Sequence, residues 1–259
     1  MRLLEHDVSR AIRFFRVETQ SGKDEHGPFL ARAFEDRYEF MQGPRTVEEY
    51  DLTRGVVFRH GVFRGQLVER VQLFNTGMLA EGKFDTDELD AFIDDVIGWG
   101  ENERGLRFVP NPDMLTIKRA YYSQLFFELP ERGSAGFEIF SDLGGEVMEA
   151  MASDGFPQTS GGFTGISVGP DPASGASWVF RFERRAAQPF SSNQFYSAAP
   201  MRTKAHVALL ERFEKRIIGQ TSALPLPSSQ SPTVSEPTEP SREPPHPSSP
   251  TRPPRRSVK

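Results

Sequence analysis

Five histidines, at positions 6, 26, 60, 206 and 246, and no cysteine set the first limits on the chemistry open to this chain. Without a thiol there is no disulfide, no zinc ribbon, no iron–sulfur ligation and no cysteine nucleophile. The histidines show neither H-x-H nor H-E-x-x-H spacing, so no metal site is read from them and no cofactor is called for. The segment GISVG (165–169) carries the spacing of a nucleophile elbow around Ser167, which needs a sharp turn from strand into helix to expose the hydroxyl. Pro170-Asp171-Pro172 follows and cannot continue as helix, so Ser167 reads as a strand residue. In chain order its partners would be Glu183 and His206, and His206 sits inside an amphipathic helical pattern.

Two glycines in LGGEV (143–147) near a helix start present backbone N–H groups of the kind that hold phosphate, but Asp142 and Glu146 would repel it. Neither the Walker lysine nor the dinucleotide-binding spacing is present. The acidic residues Asp87, Glu88, Asp90, Asp94 and Asp95 share one side of a helical stretch; side chains diverge from a helix, and calcium loops need chelating turns, so a solvated face is expected. In WVFRFERR (178–185), strand alternation sends Trp178, Phe180, Phe182 and Arg184 one way and Val179, Arg181, Glu183 and Arg185 the other. Arginines beside rings are the means by which single-strand binders hold phosphates and stack bases. The polar, aromatic-bearing stretch that follows, 187–200, is read as a recognition loop. The binding candidates are therefore Arg181, Arg185, Asn193, Gln194 and Tyr196.

These residues need a scaffold, and the composition supplies one. Of the aromatic residues 22 are phenylalanine, against two Trp and five Tyr, so burial rests on rings without polar handles. Strands are expected at 11–19, 31–41, 54–63 leading into a hairpin over 66–84 with a tight turn at Asn75-Thr76-Gly77, 119–129, 163–168 and 176–186. The spacing of Leu89, Phe92, Ile93, Val96 and Ile97 predicts a helix entered at a capping box from Asp85 to Glu88 and stopped at Gly98 or Gly100. Further helices are predicted from Ser141, with Leu143, Val147 and Met151 on one face, and from Thr203, beyond Pro200. Strands arriving in neighbouring pairs with short connections give an α+β fold, a mainly antiparallel sheet with about three amphipathic helices packed on it.

The domain is drawn at 1–218, with 1–105 and 106–218 as possible subdomains and no residue-level repeat between them. From Gly219 onward the text holds 11 of the 21 prolines and no aromatic residue, so a disordered Pro/Ser-rich tail with a basic end is expected over 219–259. Three Glu against four Arg and one Lys make that tail +2, which leaves −7 on the body from the total of −5. An acidic body disfavours nonspecific nucleic-acid binding. Glu5, His6 and Asp7 interrupt any secretory apolar run, and no stretch is long and apolar enough to span a membrane, so a cytoplasmic protein with no membrane partner is expected.

Arg16 follows Phe14 and Phe15 on the first strand. This arrangement resembles the ADP-ribosyltransferases, which place such an arginine against NAD and later use a serine-bearing strand and a catalytic glutamate. The resemblance covers a handful of residues; FYS (195–197) and ENE (101–103) would be the later elements, in the reverse of the family's order. It implies Arg16 as a catalytic candidate. The function read from the chain as a whole is a non-catalytic interaction protein, meeting a protein partner through the tail or the 187–200 loop. The alternatives are an enzyme acting on a nucleotide-like ligand and a single-stranded nucleic-acid binder.

Overall fold

β1 (Arg2–Phe14), with alternate residues Ser9 and Ala11 fully buried, lies at the centre of the main sheet in the computed structural model, which describes residues 1–19, 27–111, 118–131, 137, 140–155, 157 and 162–223. Seven more strands join it: β3 (Val56–Phe63), β4 (Gln66–Phe74), β5 (Gly77–Gly82), β7 (Arg119–Glu128), β8 (Gly165–Val168), β9 (Phe180–Arg184) and β10 (Gln194–Ala199). The order is β3-β4-β5-β1-β7-β10-β9-β8, antiparallel throughout. A separate two-stranded sheet pairs β2 (Arg16–Thr19) with β6 (Leu106–Val109). Together with the four α-helices among the described residues this is an α+β fold built on antiparallel sheet.

One face of the main sheet supplies the core. Phe58, Val71, Ala80, Ala11, Leu125, Phe127, Phe195 and Phe182 alternate inward along their strands and are buried. Helix α1 (Gly27–Tyr38) covers the β3 end through Ala31, Phe34 and Tyr38, with the Phe34 and Phe58 rings 4.8 Å apart. The expected strand at 31–41 is therefore a helix. Its buried residues repeat at three and four positions, the helical period, and buried Glu35 is held by two hydrogen bonds from Arg45, at 3.0 and 3.1 Å. Only after Glu39, at φ 53°, does Phe40 fold back to stack on Phe34.

Helix α2 (Thr86–Arg104) begins as its sequence predicts, with the Asp85 side chain accepting from the Asp87 N–H. It ends later, running through Gly98 and Gly100 to a left-handed Gly105 at φ 64°. Gly100 is small for a different reason: a Cβ there would lie 2.8 Å from the Phe108 ring of β6. Helix α3 (Ser141–Ser153) leaves Leu143, Val147 and Met151 exposed, and its tie to the core is Phe140 stacked on Phe163. Helix α4 (Thr203–Ala223) buries Leu210 and Ile217 and continues past the boundary expected at 218. The tail from 224 onward lies outside the described residues. No described helix is long and apolar enough to cross a membrane.

The two halves are topological copies. Each runs strand, helix, three-strand meander, helix: β1, α1, β3-β4-β5, α2, and then β7, α3, β8-β9-β10, α4. The strand order is accordingly palindromic about the β1–β7 pair, where Ser9 faces Ser123. Ser9 also pairs with Gly82 as Ser123 pairs with Ala199, so registers as well as elements repeat. The pseudo-two-fold relation extends to the helix starts. The Thr86 N–H donates to Thr203 Oγ1 at 3.2 Å, and the Thr203 N–H donates to Thr86 Oγ1 at 3.0 Å. Each threonine satisfies a helix N-terminal donor of the other half, and both are buried. Thr86→Val and Thr203→Val are each expected to lower the unfolding free energy by about 1–3 kcal/mol, because each strands a buried N–H. Unchanged urea midpoints would show that the donors find other partners.

Candidate functional site

The opposite face of the sheet carries side chains that belong to neither core cluster. The register lines up Arg59, Arg70, Glu81, Arg10 and Tyr122 across β3, β4, β5, β1 and β7. Three guanidinium groups thus share a row with one carboxylate. Glu81 accepts from Arg10 Nε, while Arg70 turns to Gln72 and Arg59 is exposed. Like charges in cross-strand register cost stability, so Arg59 opposite Arg70 is not explained by folding.

Beyond Arg10 the row becomes aromatic. Its guanidinium lies 5.4 Å from the Tyr122 ring centroid; Tyr122 accepts from Gln124 at 2.6 Å and hydrogen-bonds with Tyr196. Tyr196 sits 5.7 Å from Phe126, over which the Arg185 guanidinium is stacked at 4.1 Å. Such contacts are worth about 0.5–1 kcal/mol each at exposed sites, enough to hold the groups in place without occupying both ring faces. The Tyr196 hydroxyl is pushed well above the usual tyrosine range, first by burial and then by Tyr122 and the negative charges of Asp7 and Glu183. It stays a neutral donor at physiological pH.

Of the sequence candidates, Arg185, Gln194 and Tyr196 meet on this face, with Arg185 donating to Gln194 Oε1 at 3.2 Å. Arg181 points to the same side, exposed, at the register position in β9 that Arg70 holds in β4: one pairs with Ala198 of β10 and the other with Glu81 of β5. Asn193 does not join them. It takes φ 50° in the turn before β10, and its side chain accepts from Arg184 at 3.3 Å. The stretch read as a loop at 187–200 is mostly ordered secondary structure, a short 3-10 turn (Phe190–Ser192) followed by β10. Trp178 lies outside β9 and is exposed, so the expected inward aromatic series begins only at Phe180.

Arg16 is exposed on the separate two-stranded sheet, because the chain breaks out of β1 at buried Phe15. The glutamates of ENE fall in the last turns of α2, and the Ser197 hydroxyl is buried against His206. A buried Ser197 and an exposed Arg16 face no common cleft. The chain-order triad is also separated: Ser167 and Glu183 line a polar depression of about 430 Å³, whereas His206, in α4, is fully buried against Ser123 and Ser197 of the sheet. The acidic side of α2 is not simply solvated. Asp90 is contacted by Arg13, Arg119 and Arg202 at 2.7, 2.8 and 3.0 Å, and Asp87 by Arg202 and Lys204. Among the described residues no group of three His, Asp or Glu stands close enough to hold a metal ion.

Sequence reasoning missed Arg10, Arg59, Arg70, Tyr122 and Phe126. Alternation within Tyr122, Gln124 and Phe126 is visible in the chain, but their meeting with Arg10 depends on pairing across more than a hundred residues. No family model matches this chain, and neither a curated protein nor a solved structure matches it.

Proposed function

We propose that this chain is a non-catalytic binding protein whose recognition surface is the face of the eight-stranded sheet opposite its core, and that its ligand is a protein presenting carboxylates beside polar or aromatic groups. The observation that carries the reading is the cross-strand row Arg59, Arg70, Glu81, Arg10 and Tyr122, in which guanidinium groups outnumber carboxylates on an otherwise acidic body. Arginine and tyrosine are the residues that most often dominate protein interfaces, since both deliver large contact area with directional polar groups. Glu5, Glu81 and Glu183 on the same face make its charge mixed, which suits a folded partner better than a uniform polyanion. The segment beyond α4, 224–259, would act as a tethered second contact. The nucleotide-enzyme alternative gains nothing from an exposed Arg16 on a separate sheet.

The test replaces Tyr196 with a photo-crosslinking amino acid in the full-length protein, in its native cells. A discrete protein adduct is expected, and Arg70→Glu combined with Arg181→Glu should abolish it while leaving the circular dichroism spectrum intact. An adduct that survives the double charge reversal, or that forms only from a crosslinker in 224–259, would remove the sheet face from the mechanism. Salt-sensitive binding of a single-stranded oligonucleotide, lost in the same double variant, would replace the protein ligand with nucleic acid.

A further inference from the structure

Between α1, α2 and the helix-facing side of β3 to β5 lies a cavity of about 400 Å³. Protein interiors are close-packed, and gaps larger than a water molecule are few, so a space of this size is no ordinary packing defect. It falls within the range of roughly 300–1,000 Å³ typical of small-molecule sites. The walls are rings and aliphatic groups: Phe34 from α1, Phe58 from β3, Met78 from β5, Trp99 from α2 and Phe108 from β6. Among the described lining residues none is an acid, a basic side chain or a histidine. The polar side-chain groups among the described lining residues are Tyr50, whose hydroxyl donates to the Pro44 carbonyl at 3.1 Å, the amide of Asn75 and the indole N–H of Trp99.

The small sheet makes this space. β2 and β6 bring Phe15, Val17, Leu106 and Phe108 to one side of it, and Gly100 lets Phe108 approach α2 to a distance that any larger residue would prevent. Val17 and Leu52, exposed at 43% and 45%, also line it and give it an apolar edge open to solvent. Walls that are mostly apolar do not hold water well, and a charged ligand would find no counter-ion among the described lining residues. We propose that this cavity is a binding site for one neutral, ring-containing apolar small molecule, with any single polar group directed to Asn75. The site lies on the helix side of the sheet and is independent of the surface proposed above.

The chain carries its own reporter, because Trp99 lines the cavity and the second tryptophan, Trp178, is exposed elsewhere. Full-length protein carrying Trp178→Phe is titrated with the neutral fluorophore N-phenyl-1-naphthylamine. Saturable one-to-one binding with quenching of Trp99 and sensitised naphthyl emission is expected. Ala31→Phe, which fills the space from α1, should weaken binding at least tenfold; Leu52→Asp, at an exposed position that folding tolerates, should weaken it by placing a charge at the edge. Arg70→Glu with Arg181→Glu should bind the probe as the parent does. No saturable binding, binding without a Trp99 response, or equal affinity in the Leu52→Asp protein would each overturn the proposal.

Discussion

Replacing Asp90 with alanine is expected to lower the unfolding free energy by about 3 kcal/mol, the lower end of what is lost when one partner of a buried ion pair is removed. Asp90 is 8% exposed and receives Arg13, Arg119 and Arg202 together with the Tyr121 hydroxyl at 2.8 Å. Arg13, from β1, is 12% exposed and keeps only the solvent-facing Asp94 if Asp90 is lost, whereas Arg119 and Arg202 can turn to water. Because these arginines come from β1, from β7 and from just ahead of α4, the carboxylate ties the two halves of the fold at one point. Burial pushes the Asp90 carboxyl up, but hydrogen bonds from Arg13 and Tyr121 and the charges of Arg13 and Arg119 outweigh it and hold it below its ordinary 3.8. A depressed carboxyl stabilises the fold above its unfolded value and loses that contribution as pH falls through the folded one. Asp90→Asn should therefore flatten the loss of stability below about pH 4 seen in urea titrations of the parent protein. A parent-like acid limb and midpoint in both variants would show that the arginines are screened well enough to stand alone.

The second large effect is expected from His206. The ring is fully buried, with Nδ1 at 2.6 Å from Ser123 Oγ and Nε2 at 2.8 Å from Ser197 Oγ. Ser197 donates its hydroxyl hydrogen to the Arg181 carbonyl at 2.7 Å, so it accepts from His206 Nε2–H, which leaves Nδ1 to accept from Ser123. This tautomer is neutral, and burial lowers the imidazole to about 4 from its ordinary 6.5. The unfolded chain consequently takes up a proton before the folded one does, and stability declines as pH falls from 6.5 toward 4, by about 3 kcal/mol across that interval. His206→Leu places at this position the residue that Leu89 supplies in the other half, since Thr86 corresponds to Thr203. It should cost about 1–3 kcal/mol at neutral pH by leaving the Ser123 hydroxyl buried without its acceptor, while removing most of the fall between pH 7 and pH 5. Urea midpoints at the two pH values separate these effects. An equal fall in parent and variant would mean that His206 is not the group that titrates.

The core and the ion pairs were unequally visible in the chain. Alternation along 180–184 correctly separates buried Phe182 from exposed Arg181, and the apolar spacing from Leu89 to Val96 identifies α2 together with the Asp85 cap. These are local signals, carried by the period of the backbone itself. The segment 31–41 misleads because Ala31, Phe34 and Tyr38 satisfy a helix only when charged Glu35 is buried as well, and its partner Arg45 lies beyond the segment. The acidic side of α2 misleads in the same way: Asp87, Asp90 and Asp94 look solvated until β1, β7 and the entry to α4 deliver basic residues to them.

By itself, then, the sequence determined the α+β class, the starts of the helices from 86 and 203, the absence of thiol chemistry and the sides on which many strand residues point. Tertiary structure alone decided that the halves repeat about Ser9 and Ser123, that Arg70 and Arg181 occupy matching positions, and which face of the sheet takes the buried core residues. The reason is that strand alternation reports which residues share a face but not which face meets a helix. That depends on register between segments more than a hundred residues apart, and a shift of one residue would exchange every side chain between core and surface.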